Sequence, residues 1–395
     1  MLLEFWENFR HNLFKPLLLF FYLGFLVPIL KVEFEFPYVI YQGLTLYLLL
    51  AIGWHGGEEL ATVDPSSIGS VAGFIVLGFV LNFVIGLLAY QLLTRLTSMR
   101  RIDRATVAGY YGSDSAGTFA TCVGVLATVG MTFDGYMPVM LAVMETPGCL
   151  VALYLVARLR HRGMDASGFM PDEAGYRAAA RTGPGAATQP GVGGHLEAES
   201  EPGTDLENPD PAAGGKPRLA TGKLMREVLL NPGLYLLFGG IAIGFIGGLQ
   251  GEKVIHDDDN VFVAAFQGVL CLFLLEMGMT ASRHLKDLKT AGRGFIAFGL
   301  LAPNLFATLG IVVAHTYAHL THTHFQPGSY ILFAVLCGAA SYIAVPAVQR
   351  LAIPEASPTL PLAASLGLTF SYNVTIGIPV YIEVARAVTE RFPIT

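Results

Sequence analysis

Residues 41–57 read YQGLTLYLLLAIGWHGG, and residues 266–282 read FQGVLCLFLLEMGMTAS. At an offset of 225, Gln42/Gln267, Gly43/Gly268, Leu49/Leu274, Leu50/Leu275 and Gly53/Gly278 are identical. Leucine matches between apolar helices carry little information. A shared Gln-Gly with a glycine ten residues further on carries more. A second pair of stretches agrees at offset 226, through Ala108/Ala334, Gly112/Gly338 and Ser115/Ser341. Two registers within one residue of each other imply a duplicated unit.

A helical membrane span needs about 20 mostly apolar residues. Ten segments qualify by length or context: 14–31, 38–55, 68–95, 105–130, 134–158, 232–250, 261–282, 294–320, 328–353 and 359–388. The first is read as a retained span, because it has no A-x-A cleavage site. Residues 162–229 differ in kind: rich in Pro, Gly, Ala and acid, they hold too few large apolar residues to offset ordering entropy. They are expected as a disordered cytoplasmic linker between repeat 1, residues 1–161, and repeat 2, residues 230–395. Five spans per half is an odd number, so the second half must enter the membrane upside down. The expected fold is all-α, with ten transmembrane helices in two inverted five-helix repeats, a plan common among secondary transporters.

The composition agrees. Hydrophobic residues make up 53% of the chain and charged residues 14%, against about 25% charged in ordinary globular domains. The net charge is −6 and no basic stripe is present, which argues against a nucleic-acid partner. If loops alternate sides, 19 of the 24 Lys and Arg residues fall on one side and 5 on the other. The basic side is cytoplasmic by the positive-inside rule. Both termini are then expected outside the cytoplasm.

The fourth span reads AGYYGSDSAGTFATCVG at 108–124, polar and helix-breaking at its middle. The ninth carries Gly338, Ser341 and Pro346. Two interrupted spans at matching places point to a transporter's binding site. Half-helix N-termini there carry partial positive charge and unused N–H groups, suited to a small anion. Ser113, Ser115, Thr118 and Ser341 add hydroxyls. Three acids lie deep in spans: Asp114, Glu145 and Glu276. Intramembrane acids are costly and mark functional sites, here for Na⁺ or a proton. Glu145 precedes Pro147 by two and so sits beside freed carbonyls. His315, His319, His322 and His324 read as an interfacial polar cap.

The stretches YGSDSAGTF at 111–119, GAASYIAVP at 338–346, RLAIPEASP at 350–358, TFSYNVTIGIP at 369–379 and CLFLLEMGM at 271–279 resemble the sodium-dependent bicarbonate transport family. The resemblance covers both halves and excludes the linker. It implies a Na⁺-coupled symporter of bicarbonate, not an enzyme and without a cofactor, in the bacterial inner membrane. It also implies a homotrimer, with a PII-like cytoplasmic regulator for some members. Carried over by position, the anion site is Gly112, Ser113, Ser115, Gly117, Thr118, Ser341, Ile343 and Ala344. For the cation, Glu145 matches an acid in the family, and Asp114, Glu276, Asn373 and Thr375 complete the expected set. Three places depart from the family pattern: Tyr342 replaces an aspartate, Val345-Pro346-Ala347 replaces a Gly-Pro-Pro, and Asp114 stands where an apolar residue is expected.

Other readings remain open at this point. One is a symporter of a larger organic anion. Others are an intramembrane aspartyl protease, for which Asp114 has no partner aspartate, and a sensor that recruits a partner through the linker.

Overall fold

The computed structural model describes residues 14–63, 67–177, 232–251, 258–285, 288, 292–342 and 344–394. Among them every regular element is helical. In chain order these are α1 (Pro16–Leu30), α2 (Tyr38–Leu60), α3 (Ile68–Leu96), α4 (Arg101–Tyr111), α5 (Ala116–Thr128), α6 (Met137–Met144) and α7 (Thr146–His161). Then come α8 (Pro232–Gln250), α9 (Phe266–His284), α10 (Arg293–Thr321), α11 (Pro327–Gly338), α12 (Ala344–Ala352), α13 (Thr359–Leu362) and α14 (Ile378–Arg391). Wider π-helical turns at Asn260–Ala264 lead into α9. Two more, at Ala363–Phe370 and Asn373–Gly377, join α13 to α14. Among the described residues, six helices are long and apolar enough to cross a membrane: Tyr38–Leu60, Ile68–Leu96, Met137–His161, Pro232–Gln250, Asn260–His284 and Arg293–Thr321. The chain is a multi-pass membrane protein.

Proline and glycine decide where these helices begin and how closely they approach. Pro16 and Pro327 sit at the first turns of α1 and α11, where a missing N–H costs nothing. Pro303, inside α10, leaves the Gly299 carbonyl without its helical donor. Thr369 Oγ1 supplies that donor at 3.0 Å, and Tyr111 in turn donates to Thr369 at 2.6 Å.

Helix α1 packs on α9, and α2 packs on α8, at glycine contacts. A Cβ at Gly24 would overlap the Leu275 carbonyl, and one at Gly240 would crowd the Leu50 carbonyl. Likewise Gly278 meets Phe21, and Gly53 meets Leu237. Gly24 and Gly240 are 216 residues apart, as are Phe21 and Leu237; Leu50 and Leu275 are 225 apart, as are Gly53 and Gly278. Both of these α1–α9 contacts therefore have a counterpart between α8 and α2.

At the basic end, residues 162–177 form a folded loop, although they open the stretch expected as linker. Asp165 accepts N–H bonds from Ser167 and Phe169, each at 2.9 Å, and from Arg177 at 2.8 Å. These bonds hold its carboxyl below the usual carboxylate range. Arg100 lies over the Phe169 ring at 5.0 Å and pairs with Asp103 at 2.7 Å. Asp103 also accepts the Ser357 N–H at 2.8 Å, and Arg160 pairs with Glu355 at 2.8 Å. The loop, the start of α4 and the 352–357 turn are thus tied together. Residues 178–229, the rest of the expected linker, lie outside the described residues.

Candidate functional site

The fourth and ninth segments are both interrupted. Helix α4 ends at Tyr111, and α5 begins at Ala116 after Gly112, Ser113, Asp114 and Ser115. Helix α11 ends at Gly338, and α12 begins at Ala344. Pro346 falls in the first turn of α12, so the break precedes it. The two breaks touch: the Ser341 N–H donates to the Tyr110 carbonyl at 2.8 Å, closing one of the orphan acceptors at the end of α4.

The two serines at matching repeat positions do matching work. Ser115 Oγ accepts the Thr118 N–H at 3.2 Å and caps α5. Ser341 Oγ accepts the Val345 N–H at 3.4 Å in the first turn of α12. Thr118 Oγ1 donates to Ser115 Oγ at 2.9 Å. Both serines accept through oxygen, which leaves each hydroxyl hydrogen to be donated. Ser113, Ser115, Thr118 and Ser341 are all buried.

Tyr342 fills the space between the breaks. A Cβ at Gly117 would overlap its hydroxyl and come within 3.0 Å of Phe273. The hydroxyl lies beside Ser115 and the Gly117 backbone but meets no hydrogen-bond geometry. It is a buried polar group at the positive end of α5. Gly112 serves differently, capping α4 and packing on Gly86 and Gly148, so that α3, α4 and α7 meet closely.

The acids separate into two groups. Asp114 is 1% exposed, and neither of its carboxylate oxygens has a hydrogen-bond partner. It faces the charge of Glu145, which is partly exposed in the turn between α6 and α7. The chain turns there between α6 and α7, and two carbonyls of the turn accept side-chain donors. Ser113 donates to the Glu145 carbonyl at 2.6 Å, and Asn82 of α3 to the Met144 carbonyl at 3.0 Å. Asn82 is fully buried, and its Oδ1 has no partner. Glu276 stands apart on α9, accepting from Thr280 at 2.9 Å.

Asn373 and Thr375 also face other partners. Asn373 Nδ2 donates to the Gly338 carbonyl at 3.0 Å, capping α11, and its Oδ1 accepts from Tyr381 at 2.6 Å. Thr375 donates to the Ser371 carbonyl at 2.7 Å within its own helix. Ala344 opens α12, and Ile343 lies outside the described residues.

A cavity of about 330 Å³ lies against α5, lined by Ile52, His55, Glu59, Phe119, Phe133 and Gln267 among others. His55 Nε2 and Glu59 are 3.2 Å apart at its rim. Phe119 follows Thr118 directly, so the cavity ends beside the broken helix. His315 and His319 share the Phe392 carbonyl, at 2.7 and 3.1 Å, and close the end of α10. No group of three or more metal-ligating side chains occurs among the described residues.

A model of the Na⁺-dependent bicarbonate transporter superfamily matches residues 16–386. The chain belongs to that superfamily. No curated protein matches. The match spans both interrupted segments and both carboxyls. As a member of a transporter superfamily, the protein has its chemistry in binding and release. Asn82 and Tyr342 were not among the residues expected at the site. A lone asparagine in the apolar run GFVLNFVIGLL at 78–88 was the available signal for the first.

Proposed function

We propose that this protein is a Na⁺-coupled symporter that imports bicarbonate across the bacterial inner membrane. The observation that carries this reading is the pair of serine-capped half-helices, α5 and α12, meeting at one buried polar break. Their N-terminal turns offer N–H groups and two serine hydroxyl hydrogens without a lysine or arginine. That favours a small anion with several acceptor oxygens. The Tyr342 hydroxyl marks where one such oxygen would sit, beside Ser115 and Gly117. The Na⁺ would bind next to the anion at Asp114 and Glu145, using a carboxylate and carbonyls of the turn between α6 and α7.

The paired contacts of α1 with α9 and α8 with α2 support two inverted five-helix repeats, because one two-fold operation exchanges them. With the basic side cytoplasmic, the His55–Glu59 cavity opens outward and leads to α5. The homotrimer and PII-like control follow the family resemblance. The folded 162–177 loop would place a regulator's footprint next to α4.

The test is uptake of labelled bicarbonate by proteoliposomes under an imposed inward Na⁺ gradient. Uptake that follows the gradient is expected, and uptake indifferent to Na⁺ would remove the coupling. A second reading, a symporter of a larger organic anion, is favoured by one feature, the mostly apolar lining of the 330 Å³ cavity. Competition by carboxylates of increasing size separates the two: only small anions compete if the break alone is the site.

A further inference from the structure

His315 and His319 lie one turn apart on α10, near the end away from Arg293. Their rings stand edge to face, with centroids 4.7 Å apart and planes at 89°. The two Nε2 atoms are 3.2 Å apart. The Phe392 carbonyl, just past α14, is 2.7 Å from the first and 3.1 Å from the second. Two nitrogens and one oxygen therefore form a triangle. His315 is buried, His319 is partly exposed and Phe392 is 57% exposed, so the triangle reaches the protein surface.

Hydrogen bonds cannot satisfy all three edges. A carbonyl only accepts, and a neutral imidazole nitrogen either donates or accepts. If both Nε2 atoms carry hydrogen, both donate to the carbonyl, and the 3.2 Å edge sets two N–H groups against each other. If either is bare, its lone pair faces that of the carbonyl. A metal ion over the triangle removes the conflict, because it takes a lone pair from each atom. Atoms bound about 2.0–2.1 Å from one ion are spaced about 2.9 Å at octahedral and about 3.4 Å at tetrahedral angles. The three edges, 2.7, 3.1 and 3.2 Å, lie close to that spacing. A bare His315 Nε2 leaves the ring hydrogen on Nδ1, where the Tyr330 hydroxyl stands 3.4 Å away to receive it. Histidines that bind metal commonly anchor their second nitrogen in this way.

We propose that His315, His319 and the Phe392 carbonyl form a binding site for a divalent transition-metal ion such as Zn²⁺. Two imidazoles select it over Mg²⁺ and Ca²⁺, which take oxygen ligands. Water completes the coordination from the exposed side. The ion joins α10 to the end of α14, the two helices against which α11 packs. Both also carry groups next to the ninth segment: the Gly299 carbonyl of α10 receives Thr369, and Tyr381 of α14 donates to the Asn373 that caps α11. The site is separate from the proposed anion and Na⁺ sites and does not depend on them.

Isothermal titration of Zn²⁺ into the purified full-length protein, free of any polyhistidine tag and first stripped with a chelator, tests this. About one Zn²⁺ per chain should bind, and excess Mg²⁺ or Ca²⁺ should not compete. His319→Ala should weaken binding at least about tenfold, since even an outer partner of a metal ligand is worth ~10–100-fold. His319 is partly exposed, so this change leaves the buried ring of His315 in place. His319→Gln serves if the alanine variant does not fold. His322→Ala and His324→Ala, which change the exposed histidines that follow in sequence, should bind Zn²⁺ as the wild type does. Cu²⁺ in place of Zn²⁺ should show splitting from two ring nitrogens in its EPR spectrum, and from one in His319→Ala. No Zn²⁺ binding by the wild type, or undiminished binding by both His319 variants, overturns the proposal. So does a loss of binding confined to His322→Ala or His324→Ala.

Discussion

Ser115 and Ser341 show how much one residue carries. Ser115 caps α5, and Ser341, three residues before α12, accepts the Val345 N–H in its first turn. Replacing an N-cap serine such as Ser115 by alanine costs about 1 kcal/mol of helix stability. In Ser115→Ala and Ser341→Ala, bicarbonate uptake should fall further than protein stability does, because each also loses a donor to the anion. Equal losses in uptake and in melting temperature would make them caps only. Gly117 is the sharper case. Gly117→Ala puts a methyl group onto the Tyr342 hydroxyl. Uptake should drop at least about tenfold, the effect of ~1.4 kcal/mol, and Tyr342→Phe in the same chain should restore part of it. An active Gly117→Ala protein would mean that Tyr342 swings clear of α5.

At the scale of elements, the close helix pairs should respond as mirrored sites. Gly24→Leu and Gly240→Leu each push a side chain into a facing backbone. Overpacking of this kind costs about 1–3 kcal/mol, and the two variants should lose similar amounts in detergent unfolding. The loop at 162–177 makes a pH prediction. Its Asp165 carboxyl is held low by three backbone N–H groups, so the stabilisation is present above the ordinary carboxylate pKa of about 3.9. It is lost as pH falls through the lower, folded value. Hydrogen exchange at Ser167, Phe169 and Arg177 should therefore stay protected at neutral pH and rise at strongly acidic pH. In Asp165→Ala it should be fast throughout.

The same scale shows what the amino acids disclose. All ten apolar segments contain helix, because length and hydropathy are local properties. The two breaks were legible in Gly112–Ser115, small and polar, and near Gly338, Ser341 and Pro346, although Pro346 itself opens α12 rather than ending α11. The turn before Pro147 was legible too, but not that Asn82 and Ser113 would bond to its carbonyls. That depends on which face of α3 meets α6. The order of residues 162–177 was hidden for a similar reason. Its glycines and acids read as unstructured, yet those acids meet Arg101 and Arg104 on α4. Asn373 and Thr375 share a motif in sequence, but the wide π turns direct Asn373 to the end of α11 and Thr375 back into its own helix.

For the whole molecule, a polar seam runs through a bundle that is otherwise apolar. It links the Tyr111–Thr369–Gly299 chain, the paired breaks, and the Asn82–Asp114–Glu145 cluster. Buried polar groups are costly unless hydrogen-bonded or paired, and Asp114, Asn82 Oδ1 and the Tyr342 hydroxyl have no such partner. The central claim is that the ligand is a bicarbonate ion held between α5 and α12. The most direct measurement is a cryo-EM map of the purified protein with bicarbonate and Na⁺, compared with one recorded without them. A flat three-oxygen density touching Ser115 and Ser341, present only with bicarbonate, is the predicted result. Unchanged density at residues 112–118 and 338–346, in a protein that transports bicarbonate on a Na⁺ gradient, would contradict it.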